Sequence, residues 1–221
     1  MIAVEQALAL QAELAAAVIR HDALEDSIVR VTGVDVGYAA DGERIVCAAV
    51  TLDAETLAPI ETATAWGAAD FPYVPGLFSF RELPIVIKAL ERLRQPPQLV
   101  VCDGQGIAHP RRFGLASHLG VVCDLPTIGC AKSRLIGTHD PLRDERGSMA
   151  PLVDAGETIG AALRTQAGIR PVYVSIGHRI ALETACAWIL RLAQDYRLPE
   201  TTRTADHAGR MALKQIEPSP D

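Results

Sequence analysis

The sequence predicts a single α/β domain built on a mixed sheet, and three observations carry that prediction. Strand-like runs succeed one another early without an intervening helix, strand and helix patterns alternate later, and an apolar fraction of 49% over 221 residues suffices for one sizeable core. No shift in composition divides the chain. Residues 1–214 make up the expected domain, and 215–221, with Pro218 and Pro220, an expected disordered tail.

In chain order, Met1 to Arg20 alternates Ala and Leu with Glu5, Glu13 and Arg20, an amphipathic helix and not a signal peptide with a basic start. Val31 to Tyr38, Ile45 to Asp53 and Ile60 to Trp66 are strand-like, with turns at Asp41-Gly42 and near Pro59, which is the spacing of antiparallel hairpins. Helical periodicity runs from Phe80 to Arg94 through Leu83, Ile87, Leu90 and Leu93, and Pro84 is expected to confine regular helix to the part after it. A strand at Leu99 to Cys102, a helix at Phe113 to Leu119, strands at Pro126 to Ala131 and Val172 to Ile176, and a helix at Ile180 to Tyr196 follow. Their alternation implies parallel pairing. An antiparallel three-strand meander plus parallel strands, flanked by helices, is the order of a ribonuclease H-like sheet.

Composition removes several classes of function. No apolar stretch approaches the roughly 20 residues that span a bilayer, so no membrane partner is expected. Cys47, Cys102, Cys123, Cys130 and Cys186 are odd in number, form no CxxC pair and sit mostly in apolar runs, which reads as reduced thiols of a cytoplasmic protein. A net charge of -6 argues against a broad basic surface for nonspecific nucleic-acid binding, although a local basic groove remains compatible with it.

Two acids stand out. Asp103 ends the apolar run Leu99-Val100-Val101-Cys102 and precedes Gly104-Gln105-Gly106, so it lies at a sheet edge that ligands can reach. Asp35 lies within a strand, between Val34 and Val36, with Gly33 and Gly37 leaving room for close approach. Either acid alone could simply cap the following loop. Together they suggest a metal site, because a buried carboxylate stays charged only when paired or bound to a cation. In a sheet of this order the first and fourth strands are adjacent, which makes the two acids neighbours. Glu82 is a third candidate, and its alternative is a capping box with Ser79 as N-cap. Oxygen ligands without Cys or His at zinc spacing select Mg²⁺ or Mn²⁺, and ions held in this way serve phosphodiester hydrolysis.

Several ordered segments then resemble one family. Pro72-Tyr73-Val74-Pro75-Gly76-Leu77-Phe78-Ser79-Phe80-Arg81-Glu82 resembles the PYIPGxLSFRE signature of endonuclease V, a deoxyinosine-specific DNA repair nuclease. Asp103 to Arg112 resembles DGxGxxHPRR, Gly114 to Gly120 continues it, Pro126 to Ser133 resembles PTIGVAK, and Thr202 to Asp206 matches a late TRxA(H/D) element. The resemblance implies Asp35, Glu82 and Asp103 as ligands of Mg²⁺, with Mn²⁺ able to substitute. It further implies Lys132 at the scissile phosphate and Asp206 as an outer metal contact, with His207 a weaker second.

The residues add a physical account of recognition. Pro72 and Pro75 stiffen the loop that carries Tyr73, and a rigid ring can wedge beside a damaged base and replace its lost stacking. The alternative is a Tyr buried in a core turn. Gly76, Gly104, Gly106, Gly114 and Gly129 suit close backbone approach to the base, and the pocket is expected to draw on some of them. Arg111, Arg112, Arg134 and Arg179 are candidate phosphate contacts or solvated loop charges; His109 and His118 are not assigned as ligands. By resemblance the chain is expected to be a monomeric DNA repair endonuclease that binds deoxyinosine-containing DNA. It would cut the second phosphodiester bond 3′ to the lesion, leaving 3′-hydroxyl and 5′-phosphate ends. An endoribonuclease acting on inosine in RNA and a non-catalytic inosine-binding protein are the alternatives.

Overall fold

The computed structural model describes residues 2–215; the expected disorder at Pro218 and Pro220 lies outside them. The chain runs α1 (Val4–Ala15), β1 (Arg30–Tyr38), β2 (Arg44–Asp53), β3 (Pro59–Ala68), α2 (Phe78–Leu90), β4 (Val100–Cys102), α3 (Leu115–Cys123) and β5 (Thr127–Ala131). Then come β6 (Met149–Asp154), β7 (Glu157–Leu163), β8 (Val172–His178), α4 (Leu182–Leu192) and α5 (Glu200–Lys214). One sheet joins the strands in the order β3-β2-β1-β4-β5-β8-β7-β6. The meander is antiparallel, and β1, β4 and β5 are parallel, as the pattern predicts.

Both faces of the sheet are covered, which explains the unbroken apolar run of β4. Val101 faces a cluster with Ile128, Val174 and the α4 residues Ala185 and Ile189. Val100 and Cys102 face the opposite cluster, with Leu83 and Val86 of α2 and Leu119 of α3.

Two expectations are corrected. β8 pairs with β5 antiparallel and not parallel as the alternation implied, a hairpin of β6 and β7 lying between them in the chain. That hairpin was not foreseen: its turn places Ala155 and Gly156 at φ 51 and 81, Asn or Asp being the usual left-handed first residue. Pro151 is tolerated within it because β6 is the sheet edge. Finally, α2 begins at Phe78 and runs through Pro84, which removes only the bond its N–H would have given the preceding turn.

Candidate active site

Register brings the first two acids together. Val34 lies opposite Cys102, so the next residue on each chain, Asp35 and Asp103, stand side by side at the end of β4. Residues 33, 35 and 37 share a face of β1. A Cβ on Gly33 would lie 2.1 Å from the Thr201 carbonyl oxygen, and one on Gly37 would lie 2.8 Å from Leu213. The glycines flanking Asp35 therefore let α5 lie directly on β1, and that approach carries Asp206 to Asp35.

Glu82 arrives from α2. It does not close a capping box, because the N-cap is Leu77 and Ser79 is buried against His118 Nδ1 at 3.0 Å. The Tyr38 hydroxyl donates to Glu82 Oε1 at 3.1 Å, and Lys132, just past β5, places Nζ 2.5 Å from Asp103 Oδ2. Asp35, Glu82, Asp103, Lys132 and Asp206 thus line one cavity of about 470 Å³. Tyr38, Phe78 and Arg210, which the sequence reading did not single out, line it too, and Arg210 pairs with Asp206 at 2.9 Å. The spacing of four residues on α5 was the available signal for Arg210. His207 lines a different cavity, with Glu200 and Arg203.

Crowded, half-dry carboxyls resist ionisation. Burial, then the Asp103 charge, pushes Asp35 up to about 7. Burial likewise pushes Glu82 up to about 8, against the Tyr38 hydrogen bond that favours its charged form. Burial alone would lower Lys132, but the hydrogen bond and charge of Asp103 outweigh it and hold the ammonium above its ordinary range. Among the described residues no three His, Cys, Asp or Glu side chains close on one point as a finished metal cluster. The donors fit a hard divalent cation nonetheless: Asp35, Glu82 and Asp103 offer only oxygen, and a cation would offset the burial and the mutual repulsion that raise Asp35 and Glu82.

A second cavity of about 410 Å³ shares Phe78, Asp103 and Leu115 with the first and is lined mostly by loops. Tyr73, Pro75 and Gly76 form one side, Gly104, Gln105 and Gly114 another, and Leu135 sits at its rim. Tyr73 is 71% exposed, which removes the core-turn alternative, and its ring meets Phe78 edge-on at 6.1 Å. Pro72 is exposed beside it. The five glycines divide. Gly76, Gly104 and Gly114 line the cavity, whereas Gly106 and Gly129 are buried behind it, where a Cβ would meet the Ile176 oxygen at 1.9 Å and the Gly106 nitrogen at 2.4 Å, respectively.

The basic residues hold protein atoms. Arg112 pairs with Glu157 at 2.6 Å and Asp154 at 2.8 Å, and Arg179 pairs with Asp124 at 2.7 Å. Arg111 donates from Nη2 to the Gly76 carbonyl at 2.6 Å. As placed, these three brace loops, and Arg134 alone of the four lies exposed without such a bond described.

A family model described as Endonuclease V matches residues 12–207. The chain belongs to the endonuclease V family. The endonuclease V of a Roseiflexus species is 55% identical over 201 residues, 91% of this chain and 89% of the relative. The crystal structure of the Streptomyces avermitilis endonuclease V is 52% identical with a TM-score of 0.93, covering 97% of this chain and 95% of that one. The Ciona intestinalis endonuclease V is 29% identical with a TM-score of 0.86 over 97% of this chain and 99% of its own. That protein was solved with a 24mer DNA containing an inosine followed by a ribo-adenosine. An Argonaute from A. aeolicus, 16% identical with a TM-score of 0.53 over 88% of this chain and 30% of its own, shares the fold alone and marks the sheet as ribonuclease H-like. The family is one of nucleases. Among the described residues no helix is long and apolar enough to cross a membrane.

Proposed function

We propose that this endonuclease V family member is a cytoplasmic, monomeric DNA repair enzyme that recognises deoxyinosine and hydrolyses the second phosphodiester bond 3′ to it, leaving 3′-hydroxyl and 5′-phosphate ends. The observation that supports it most is that a cavity lined by four carboxylates and Lys132 shares a wall with an apolar, glycine-lined cavity under an exposed Tyr. A base held in the second cavity would set its own strand across the first.

Asp35, Glu82 and Asp103 would hold Mg²⁺, with Mn²⁺ able to substitute. Bound there, the ion supplies Lewis-acid stabilisation of the phosphate and a lowered pKa for an attacking water. The remaining work falls to the chain. Lys132, whose Nζ stands 2.5 Å from Asp103 Oδ2, would present its charge to the scissile phosphate. Asp206 orients water or an outer metal contact, and the Tyr38 hydroxyl fixes Glu82. Tyr73, on a loop stiffened by Pro72 and Pro75, fills the place of the extruded base. Gly76, Gly104 and Gly114 let backbone amides and carbonyls approach the hypoxanthine edge, with its O6 acceptor and N1–H donor. Gly106 and Gly129 let the loops seat closely behind them, and Arg111 and Arg112 hold those loops in register.

The test is cleavage of a duplex bearing one deoxyinosine, with Mg²⁺ and with chelator, beside a strand bearing one inosine in RNA. A metal-dependent nick at the second phosphodiester 3′ to the lesion is expected. The RNA arm is warranted because the Ciona intestinalis relative was solved with a ribo-adenosine directly after the inosine. Cutting of RNA alone would replace the repair reading with the ribonuclease one, and binding without cutting of either would leave a non-catalytic inosine-binding protein.

A further inference from the structure

Gln11, on α1, is remote in sequence from every segment that forms the apolar cavity, yet its side chain joins two of them. It is 0% exposed. Its Nε2 donates to the Gly76 carbonyl at 2.9 Å and to the Phe113 carbonyl at 2.9 Å, and its Oε1 accepts from Arg111 Nε. Both amide hydrogens and the oxygen are used, so the burial of this polar group is compensated only while all three partners stay in place.

Gly76 and Gly114, which follows Phe113, line the cavity from different loops. The Gly76 carbonyl also accepts from Arg111 Nη2 at 2.6 Å. Gly76 stands at φ +80, where a side chain would strike the Arg111 guanidinium. At the other end of the same loop, Arg81 Nη1 holds the Phe71 carbonyl at 2.6 Å. Tyr73 is therefore carried between two anchored carbonyls. The Gly76 anchor is tied across to the facing wall by two side chains, directly by Arg111 and through Gln11, which alone of the two also holds the Phe113 carbonyl next to Gly114.

We infer that Gln11 is a positioning residue for lesion recognition: its buried amide fixes the separation of the Gly76 and Phe113-Gly114 walls and with it the width of the slot that receives the base. This rests on the reading of that cavity as the inosine pocket. α1 then has a second role beyond packing Ala7 against Phe71 and Leu77. It sets recognition without touching the substrate.

The test compares Gln11→Met, which keeps length but removes both donors, with Ala7→Gly, which weakens α1 without touching the Gly76 carbonyl. Gln11→Asn, an amide one methylene short, serves as the conservative variant. Single-turnover cleavage is read for a deoxyinosine duplex and for the same strand with the inosine in an unpaired bulge, with the Tm of each protein. In Gln11→Met the half-saturating enzyme concentration is expected to rise about ten-fold, the loss of roughly one to two buried hydrogen bonds, with the maximal rate nearly unchanged. Gln11→Asn should fall between it and the parent. Ala7→Gly should lower Tm and leave half-saturation where it was, which a purely structural role would not allow. Wild-type half-saturation in Gln11→Met, or an equal rise in Ala7→Gly at matched Tm, overturns the inference while inosine cleavage by the parent stands. A parent that neither cuts nor binds the inosine strand overturns the pocket reading, and this inference with it.

Discussion

The two cavities share a wall and are built on opposite principles. The acidic one is made by regular elements: a strand register places Asp35 beside Asp103, a glycine-backed helix delivers Asp206, and a second helix delivers Glu82. Burial, and then mutual repulsion, raises Asp35 to about 7 and Glu82 to about 8. The apolar one is made by loops whose backbone is held by Gln11, Arg81 and Arg111. Its loop carbonyls are anchored by these bonds, while on its lining Gln105 Oε1 is buried without a hydrogen-bond partner. Under the proposed function the acidic cavity depends on charge and the loop-built cavity on a braced backbone, so each should fail in its own way when perturbed.

The sharpest test of that division removes one function and keeps the other. Asp35→Ala should abolish cleavage, by roughly a thousand-fold or more, while inosine duplex is still bound; Lys132→Met should cost about 10²–10³-fold in maximal rate, as loss of one transition-state charge contact does. Single-turnover rates beside binding titrations check both, and unchanged cutting by Asp35→Ala would refute its role. Tyr73→Ala should do the reverse. Loss of one stacking ring, worth about 1–3 kcal/mol, should weaken inosine binding by roughly ten- to hundred-fold with a smaller effect on the saturated rate.

The same division decided what the sequence could reveal. Asp35 and Asp103 were legible because an acid inside or ending an apolar strand has few inexpensive explanations, and sheet order then made them neighbours. Glu82 was ambiguous because Ser79 stood three residues before it; the helix start at Leu77 and the buried bond between Ser79 and His118 remove the capping alternative. The loop-built cavity was legible as a set of motifs and not as a shape. Which glycines line it and which lie behind it depends on the approach of β8, itself misjudged as parallel because the β6–β7 hairpin has Ala at its turn and Pro in its edge strand. Gln11 lies 65 residues from Gly76 and 102 from Phe113, and nothing local in its helix marks it.

A smaller effect distinguishes the halves by pH. The Asp35 carboxyl is raised from 3.8 to about 7 on folding, chiefly by burial. Between those values the folded protein keeps a proton that the unfolded chain has released, so stability is lost as pH rises through the window and the full cost stands above about pH 7. Asp35→Asn removes that cost. Its Tm should match the parent near pH 4 and exceed it at pH 8, by an amount corresponding to at most roughly 4 kcal/mol. Mg²⁺ should raise the parent's Tm at pH 8 and raise the variant's far less. Thermal melts at the two pH values, with and without Mg²⁺, check this, and a variant less stable than the parent at pH 8 would break the account of the acidic cavity as a site short of a cation.

The finest comparison lies within the glycines of one loop. Gly104 borders the apolar cavity, and a Cβ there would find its nearest neighbour, Leu115 Cβ, at 3.9 Å, an ordinary contact. Gly106, two residues on, has the Ile176 carbonyl oxygen 1.9 Å from the same point, so any side chain must push the loop off β8. Gly104→Ala should therefore keep the parent's Tm within about a degree and reduce inosine affinity only a few-fold, because a methyl group narrows the slot without unmaking a hydrogen bond. Gly106→Ala should lower Tm by several degrees and impair metal-dependent cutting and inosine binding together, since the displaced loop also carries Asp103. If Gly104→Ala instead lost stability, or Gly106→Ala spared it and lost only inosine binding, the base would sit deeper against β8 than the loop-lined cavity allows.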